Sequence, residues 1–271
     1  MKKQLTIKDK NLAYLDKGQG EVLLFGHSYL CDHSMWLSQV DKLSQHYRCI
    51  APDLWGHGTS DSLPACFASP YDFAEHMITL MDHLAVERFS VIGHSIGGMW
   101  GTKLAANHPE RVKSLVLMGT YLGDEPETSR VLYFGLMDQI DQEQCVSKEM
   151  AQTITPFYFA PQSIDRALPC VQTFSEQLQS LSIPQLSQLT QMGRALFSRP
   201  NGLELLGKIT APVLLLTGEE DLPRPVRESE EMMNYLKRGK LDVIPNAGHL
   251  SALEQPEFIN EKLKNFFARV L

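Results

Sequence analysis

The strongest constraint in this sequence is the run Val91-Ile92-Gly93-His94-Ser95-Ile96-Gly97-Gly98. A β-branched apolar stretch enters a Gly-x-Ser-x-Gly turn, and Met99-Trp100-Gly101-Thr102-Lys103-Leu104-Ala105-Ala106 continues with helical character. A strand–turn–helix of this kind presents a serine hydroxyl above the edge of a sheet. The turn is so tight that side chains at its flanking positions would collide, which glycine at 93 and 97 avoids. Ser95 is then expected in a strained conformation, with the backbone N–H of Ile96 pointing into the same space. An ordinary glycine-containing turn carries the same pattern. The nucleophilic reading therefore depends on whether the chain also supplies a base, an acid and a second oxyanion donor.

The rest of the chain has the rhythm such a turn needs. Gln4–Lys8 and Asn11–Asp16 predict an opening hairpin, and Glu21–Phe25 predicts a strand covered on both faces. Helical spacing over Ser34–Ser44, the strand Tyr47–Ala51, helical spacing over Tyr71–Leu84, the strand Phe89–Ile92 and the strand Val112–Met118 then alternate. This alternation predicts an α/β fold, a mostly parallel eight-stranded sheet flanked by helices. The rhythm breaks at Gly119. From there to about Gly207 no strand-like run occurs, and Thr128–Gln142, Gln162–Leu181 and Pro184–Phe197 carry helical patterns. The expected organisation is a core of residues 1–119 and 208–271 with a helical cap inserted at 120–207. Pro212–Thr217, Val226–Leu236, Lys240–Ile244 and Pro256–Val270 resume the strand–helix alternation.

Composition narrows the class. A formal net charge of -7 argues against nucleic acid or an anionic membrane as partner. No apolar run approaches the roughly 20 residues of a membrane span. Polar residues interrupt the stretch after Met1-Lys2-Lys3, so no secretory leader is expected. The five cysteines form no C-x-x-C pair, which fits free thiols in a reducing cytoplasm rather than a zinc site or disulfide frame. The sequence carries no H-E-x-x-H, Walker loop or dinucleotide fingerprint, so neither a metal nor an organic cofactor is expected.

A serine hydroxyl is a poor nucleophile at its own pKa and needs a base within reach. Of the nine histidines, His249 follows the last predicted strand in Pro245-Asn246-Ala247-Gly248-His249-Leu250. In a parallel sheet the strand C-termini share one edge, where ligands bind. His27 and His57 also lie at strand ends, where structural hydrogen bonding is the expected role. His94, beside the serine, is expected to point away from it. The imidazole needs a carboxylate to fix its tautomer. Asp221, in Gly218-Glu219-Glu220-Asp221-Leu222-Pro223, follows a strand on the same edge, with Glu219, Glu220 and above all Asp124 as rivals. Ile96 N–H is one expected oxyanion donor, and the loop after Phe25 supplies the other, assigned to Tyr29 N–H. Ser28 and Trp55 are the candidate substrate contacts.

With these residues in place the chain resembles the α/β-hydrolase superfamily, within the group of small capped serine esterases, lactonases and C–C hydrolases. The order Ser95, Asp221, His249 is similar to the family order of nucleophile, acid and base. Pro52-Asp53-Leu54-Trp55-Gly56-His57-Gly58-Thr59-Ser60-Asp61 resembles its D-x-x-G-x-G-x-S loop, and Gly248-His249 with Glu254-Gln255-Pro256 its terminal G-H-x-x-x-x-E-x-P segment. One departure is the oxyanion loop, His27-Ser28-Tyr29 where the family usually has His-Gly and a bulky residue. The resemblance implies a catalytic triad acting on a small-molecule ester or lactone, and the apolar residues of the expected cap make a small, largely apolar carboxylic ester the leading expectation. Two alternatives stand beside it. One is a lactone or C–C hydrolase, for which Arg130, Arg166, Arg194 and Arg199 of the cap are candidate cations. The other is a low-turnover ligand-sensing protein built on the same fold.

Overall fold

The computed structural model describes residues 2–7 and 9–271. Strands β1 (Lys2–Ile7) and β2 (Lys10–Lys17) pair antiparallel as the expected hairpin. Lys8, the last residue of the first expected run, lies outside the described residues. Then follow β3 (Val22–Gly26), a 3-10 turn at His33–Trp36, α1 (Leu37–Leu43), β4 (Arg48–Pro52) and α2 (Phe73–His83). The alternation continues through β5 (Phe89–His94), α3 (Ile96–Asn107) and β6 (Val112–Met118). Between β6 and β7 come α4 (Glu127–Glu143), α5 (Lys148–Ile154), α6 (Pro161–Asp165), α7 (Pro169–Gln179), α8 (Ile183–Phe197) and α9 (Leu203–Leu206). The chain closes with β7 (Val213–Gly218), α10 (Val226–Met233), β8 (Gly239–Ile244), α11 (Ser251–Glu254) and α12 (Pro256–Val270).

The eight strands form one sheet in the order β1-β2-β4-β3-β5-β6-β7-β8. Pairings from β4 through β8 are parallel, and only the β1–β2 and β2–β4 pairings are antiparallel. Successive side chains of a strand alternate between faces, so each central strand feeds two cores. Leu24, Val91, Leu115, Leu117, Val213 and Leu215 pack on one face with Phe73 and Met77 of α2, Trp100 and Leu104 of α3 and Met232 of α10. Leu23, Phe25, Ile92, Val116, Leu214 and Leu216 pack on the other with Val40 and Leu43 of α1 and Ile259, Leu263 and Phe267 of α12. Continuous apolar runs in these strands are the consequence of burial on both faces.

Two expectations in the helical region change. The helix expected over Gln162–Leu181 is broken into α6 and α7, because Ala167 adopts φ 48° and Pro169, which lacks an N–H, starts the second helix. Helix α5 has no counterpart in the sequence reading. Its seven residues are too few for an apolar repeat, and its signal is the Ser147 cap, whose side chain accepts from Met150 N–H at 3.1 Å. The excursion leaves and returns at one place, where Gly202 N–H donates to Leu122 O at 2.7 Å. Past that neck, α9 packs on α3 and buries Leu203 and Leu206 in the core. No helix of the described residues is long and apolar enough to cross a membrane.

Two devices set the strand edge that carries the functional loops. The first is a backbone contact: a Cβ on Gly97 would lie 2.2 Å from Gly26 O, and one on Gly93 would lie 2.3 Å from Gly97 O. Helix α3 can thus enter directly against the ends of β3 and β5. The second is Asp53 at the end of β4. Its carboxylate accepts from His33 N–H (2.8 Å), His33 Nδ1–H (2.7 Å) and Thr59 N–H (3.0 Å), tying the loop after β3 to the loop after β4. Burial alone would raise the Asp53 pKa, but these donors and the nearby His27 hold it well below the usual carboxylate range. The same hydrogen bond raises His33, with burial opposing. His27 adds a second tie, its Nε2 accepting from Leu54 N–H at 2.8 Å.

Replacing Gly97 with Ala should destabilise the protein by about 1–3 kcal/mol in urea unfolding, because backbone must move to admit the methyl group. The His33–Asp53 pair sets a pH dependence. A raised imidazole adds stability that is complete below its ordinary value near about 6.5 and is lost as pH rises through the higher folded value. The melting-temperature gap between wild type and His33→Asn should therefore narrow as pH is raised from about 6 to about 9. A gap that widens would contradict this pairing.

Candidate active site

The expected nucleophile sits where β5 ends. Ser95 has φ 53° and ψ -116°, a left-handed φ that a non-glycine residue holds only when its surroundings impose it. Those surroundings are visible. Ser95 N–H donates to Met118 O at the end of β6 (2.8 Å), and Ser95 O accepts from Thr120 Oγ1–H (2.7 Å). Ile96 opens α3, so its N–H has no partner within the helix.

Asp221 and His249 come from the loops after β7 and β8. The Asp221 carboxylate lies 2.9 Å (Oδ2) and 3.2 Å (Oδ1) from His249 Nδ1. With Nδ1–H donating to the carboxylate, the neutral ring keeps Nε2 unprotonated, which is the form a base needs. Asp221 Oδ1 is held in turn by Arg224 N–H at 2.9 Å. Gly119, at φ 48°, lets the backbone pass beneath the pair: a Cβ there would sit 3.1 Å from Asp221 and 3.2 Å from His249. The rivals for the carboxylate role are all occupied elsewhere. Asp124 accepts from Asn201, Glu219 from Asn246 N–H and Glu220 from Gln162.

The histidine is fixed from three sides. Its ring stands edge-on to His94 (centroids 4.9 Å apart) and to Tyr158 (5.7 Å). His94 Nε2–H donates to His249 O at 2.6 Å. Burial, followed by the neighbouring His249, drives the His94 pKa well down, so this donor stays neutral. Sequence reading gave His94 no part beyond turning away from the serine; its place under the base is a feature that only the sheet-edge geometry reveals. Glu254 of α11 supplies the third support. It accepts from Gly248 N–H (2.8 Å), Ala160 N–H (2.9 Å) and Ser163 Oγ–H (2.6 Å), pinning the start of α6 to the histidine loop.

Ser95 and His249 line one cavity of about 430 Å³, without a hydrogen bond between them in this structure. Tyr29, Tyr133, Glu125, Arg199 and Arg224 line it too. A second cavity of about 580 Å³ adjoins it, sharing Tyr29, Tyr133, Phe157, Tyr158 and Phe197, and is walled by apolar residues such as Leu136, Met137, Ile140 and Leu186. Tyr29 is anchored between the two, its hydroxyl donating to Leu189 O at 2.7 Å.

Two expected substrate contacts are corrected. Ser28 is fully buried and lines neither cavity; its N–H meets Met35 Sδ at 3.3 Å and its hydroxyl has no partner. Tyr29, next in the chain, presents its side chain to the cavity instead. Trp55 is likewise fully buried and outside both cavities, its Nε1–H donating to His76 Nδ1 at 3.2 Å. The cap arginines also separate. Arg130 pairs with Glu127, Arg194 with Asp138 and Asp141, and Arg166 is exposed, whereas Arg199 reaches the cavity.

Arg224 escaped the sequence reading. The signal was its place three residues after Asp221, flanked by Pro223 and Pro225, on the loop that carries the acid. Glu125 bridges the two guanidinium groups, accepting from Arg199 Nη1 (2.9 Å) and Arg224 Nη2 (2.5 Å). Glu228 lies near Arg224, 3.5 Å from Nη1. Burial pushes its pKa up to about 7, against the pull of Arg224 and with the repulsion of Glu125 and Asp221.

Comparison with known proteins agrees with this geometry. A family model described as the alpha/beta hydrolase fold matches residues 21–256. A relative called 3-oxoadipate enol-lactonase 2, from Acinetobacter baylyi, is 28% identical across 99% of this chain and 97% of its own. A pimeloyl-[acyl-carrier protein] methyl ester esterase from Nitrosomonas europaea is 27% identical across 89% of this chain and 93% of its own. A thermophilic esterase from Thermogutta terrifontis has the same fold, with a TM-score of 0.88 at 24% identity over 100% of this chain and 99% of that one. Family match, sheet order and helix placement converge: the chain belongs to the α/β-hydrolase fold family and is a hydrolase.

Proposed function

We propose that the protein cleaves a carboxylic ester or lactone through an acyl-enzyme on Ser95, with His249 as base and Asp221 as its orienting acid. The observation that carries this reading is the pairing of His249 Nδ1 with Asp221 at 2.9 Å, on the same cavity that receives the strained Ser95. The names of two relatives, a lactonase and a methyl ester esterase, support cleavage of an acyl–oxygen bond.

The reading implies the following steps. Ser95 Oγ attacks the acyl carbon while His249 Nε2 takes its proton. The carbonyl oxygen becomes an oxyanion and accepts from the N–H groups of Ile96 and Tyr29, each worth about 3–4 kcal/mol in the transition state. The C–O bond then breaks, and the alkoxide takes the proton back from His249. In a lactone the alcohol stays tethered to the acyl group. Water, deprotonated by His249, attacks the acyl-serine, and the carboxylic acid leaves with Ser95 restored. Asp221 keeps Nδ1 protonated throughout and stabilises the transient imidazolium. Residues 120–207 act as the cap, and the apolar cavity beside the serine takes the substrate's hydrocarbon arm.

Hydrolysis of p-nitrophenyl esters from acetate to octanoate tests the assignment. Ser95→Ala and His249→Ala should each lose at least about a thousandfold in kcat, as residues acting as one unit do. Full activity in Ser95→Ala would end the proposal. The rate should rise with acyl length until the apolar cavity is filled and fall beyond it, a profile that Leu186→Trp should shift to shorter chains. An unshifted profile would place the acyl arm elsewhere.

A further inference from the structure

The cavity that holds Ser95 and His249 is charged, although its neighbour is apolar. Arg199 and Arg224 both enter it, with side chains 0% and 6% exposed. They are not equivalent. Arg199 is turned to the fold: besides Glu125, its guanidinium donates to Leu196 O (3.1 Å), Gly123 O (3.0 Å) and Tyr121 O (3.3 Å), all around the neck of the helical excursion, and its Nε is left without a partner. Arg224 gives Nη2 to Glu125 and leaves Nη1 with no hydrogen-bond acceptor. Glu228 approaches that nitrogen only to 3.5 Å, and its own Oε2 is equally unpaired.

Three features make this an assembled subsite and not an incidental ion pair. Two guanidinium groups share a single hydrogen-bonded carboxylate, Glu125, while Glu228 reaches Arg224 Nη1 only at 3.5 Å. A buried cationic donor without an acceptor is costly, and an incoming carboxylate satisfies it with a short, charge-assisted bond. Arg224 is also fixed relative to the reaction centre, because its N–H is bonded to the Asp221 carboxylate and prolines flank it on both sides. A group held by Arg224 is therefore held in register with His249.

Building on the serine-hydrolase reading above, we propose that Arg224 binds a free carboxylate on the substrate, making the preferred substrate an anionic half-ester or lactone acid instead of a wholly apolar ester. The carboxylate lies against Arg224 Nη1, on the side of the cavity formed by the loop after β7. The hydrocarbon portion points toward the apolar cavity between α4 and α8. Tyr133, which lines both cavities, marks the boundary between them.

The test compares matched neutral and anionic esters: methyl butyrate, pentanoate and hexanoate against monomethyl succinate, glutarate and adipate, with released acid followed by titration. In the wild-type enzyme kcat/KM for at least one half-ester should exceed that of its neutral partner by roughly tenfold or more, the scale of one charge-assisted hydrogen bond. Arg224→Gln should lower that ratio at least about tenfold, chiefly through KM, and Arg224→Lys should recover part of it. Glu125→Gln, which frees the two cations from their bridging anion, should raise the ratio. A wild-type enzyme that favours the neutral esters at every length overturns the inference whether or not the variants fold. So does a ratio unchanged in a folded Arg224→Gln enzyme. In both cases loss of neutral-ester hydrolysis in Ser95→Ala would leave the serine-hydrolase reading standing.

Discussion

The strand edge that carries the candidate site depends on one backbone contact, the approach of Gly97 to Gly26. Because no side chain intervenes, α3 starts directly beyond β5, and the turn that joins them must close in a few residues. Ser95 absorbs the closure with its left-handed φ, and the bonds from Ser95 N–H to Met118 O and from Thr120 to Ser95 O prevent its relaxation. That geometry brings Ser95 to the cavity that His249 also lines. A methyl group at position 97 would therefore disturb the packing of α3 and the placement of the nucleophile together.

A second level of organisation holds the loops that the sheet brings together. Asp53 and His27 join the loop after β3 to the loop after β4, and Glu254 joins the His249 loop to the start of α6. His94 supports the backbone of His249 from below. Apart from the edge-on contact between the His94 and His249 rings, these groups act on the loops through hydrogen bonds. Each satisfies buried donors or acceptors that the convergence of strand ends would otherwise leave unpaired, and in doing so limits how far the functional loops can move.

How much of this could be read from the sequence follows from the range of the forces involved. The sheet, its order of strands and helices, and the pairing of His249 with Asp221 arise from local periodicity and from the rule that parallel strands end on one edge. The turn at Ser95 is likewise local, being written in Gly93 and Gly97. What escaped was long-range or side-chain specific. Ser28 was expected to meet substrate because it stands in the loop after β3, but β3 ends at Gly26 and the turn that follows buries Ser28 and brings Tyr29 to the cavity. Arg199 could not be separated from Arg130, Arg166 and Arg194 by composition, since only the neck at Leu122 and Gly202 brings it inward. Arg224 carries no local signal of its place in the cavity, since the carboxylate that holds it, Glu125, lies 99 residues away in the chain.

The site combines a polar half, where Arg224 sits on the loop that carries Asp221, with an apolar half under α4 and α8. Such a division suits a substrate that is charged at one end and hydrocarbon elsewhere, with Tyr133 at the boundary between the two halves. The claim beneath all of it is that Ser95 is the nucleophile, and the most direct measurement is covalent capture. Intact protein exposed to an alkyl fluorophosphonate should gain a single adduct, which peptide mass spectrometry places on Ser95, and His249→Ala should acquire it far more slowly. No adduct at all, or an adduct on another residue that persists in Ser95→Ala, would contradict the account.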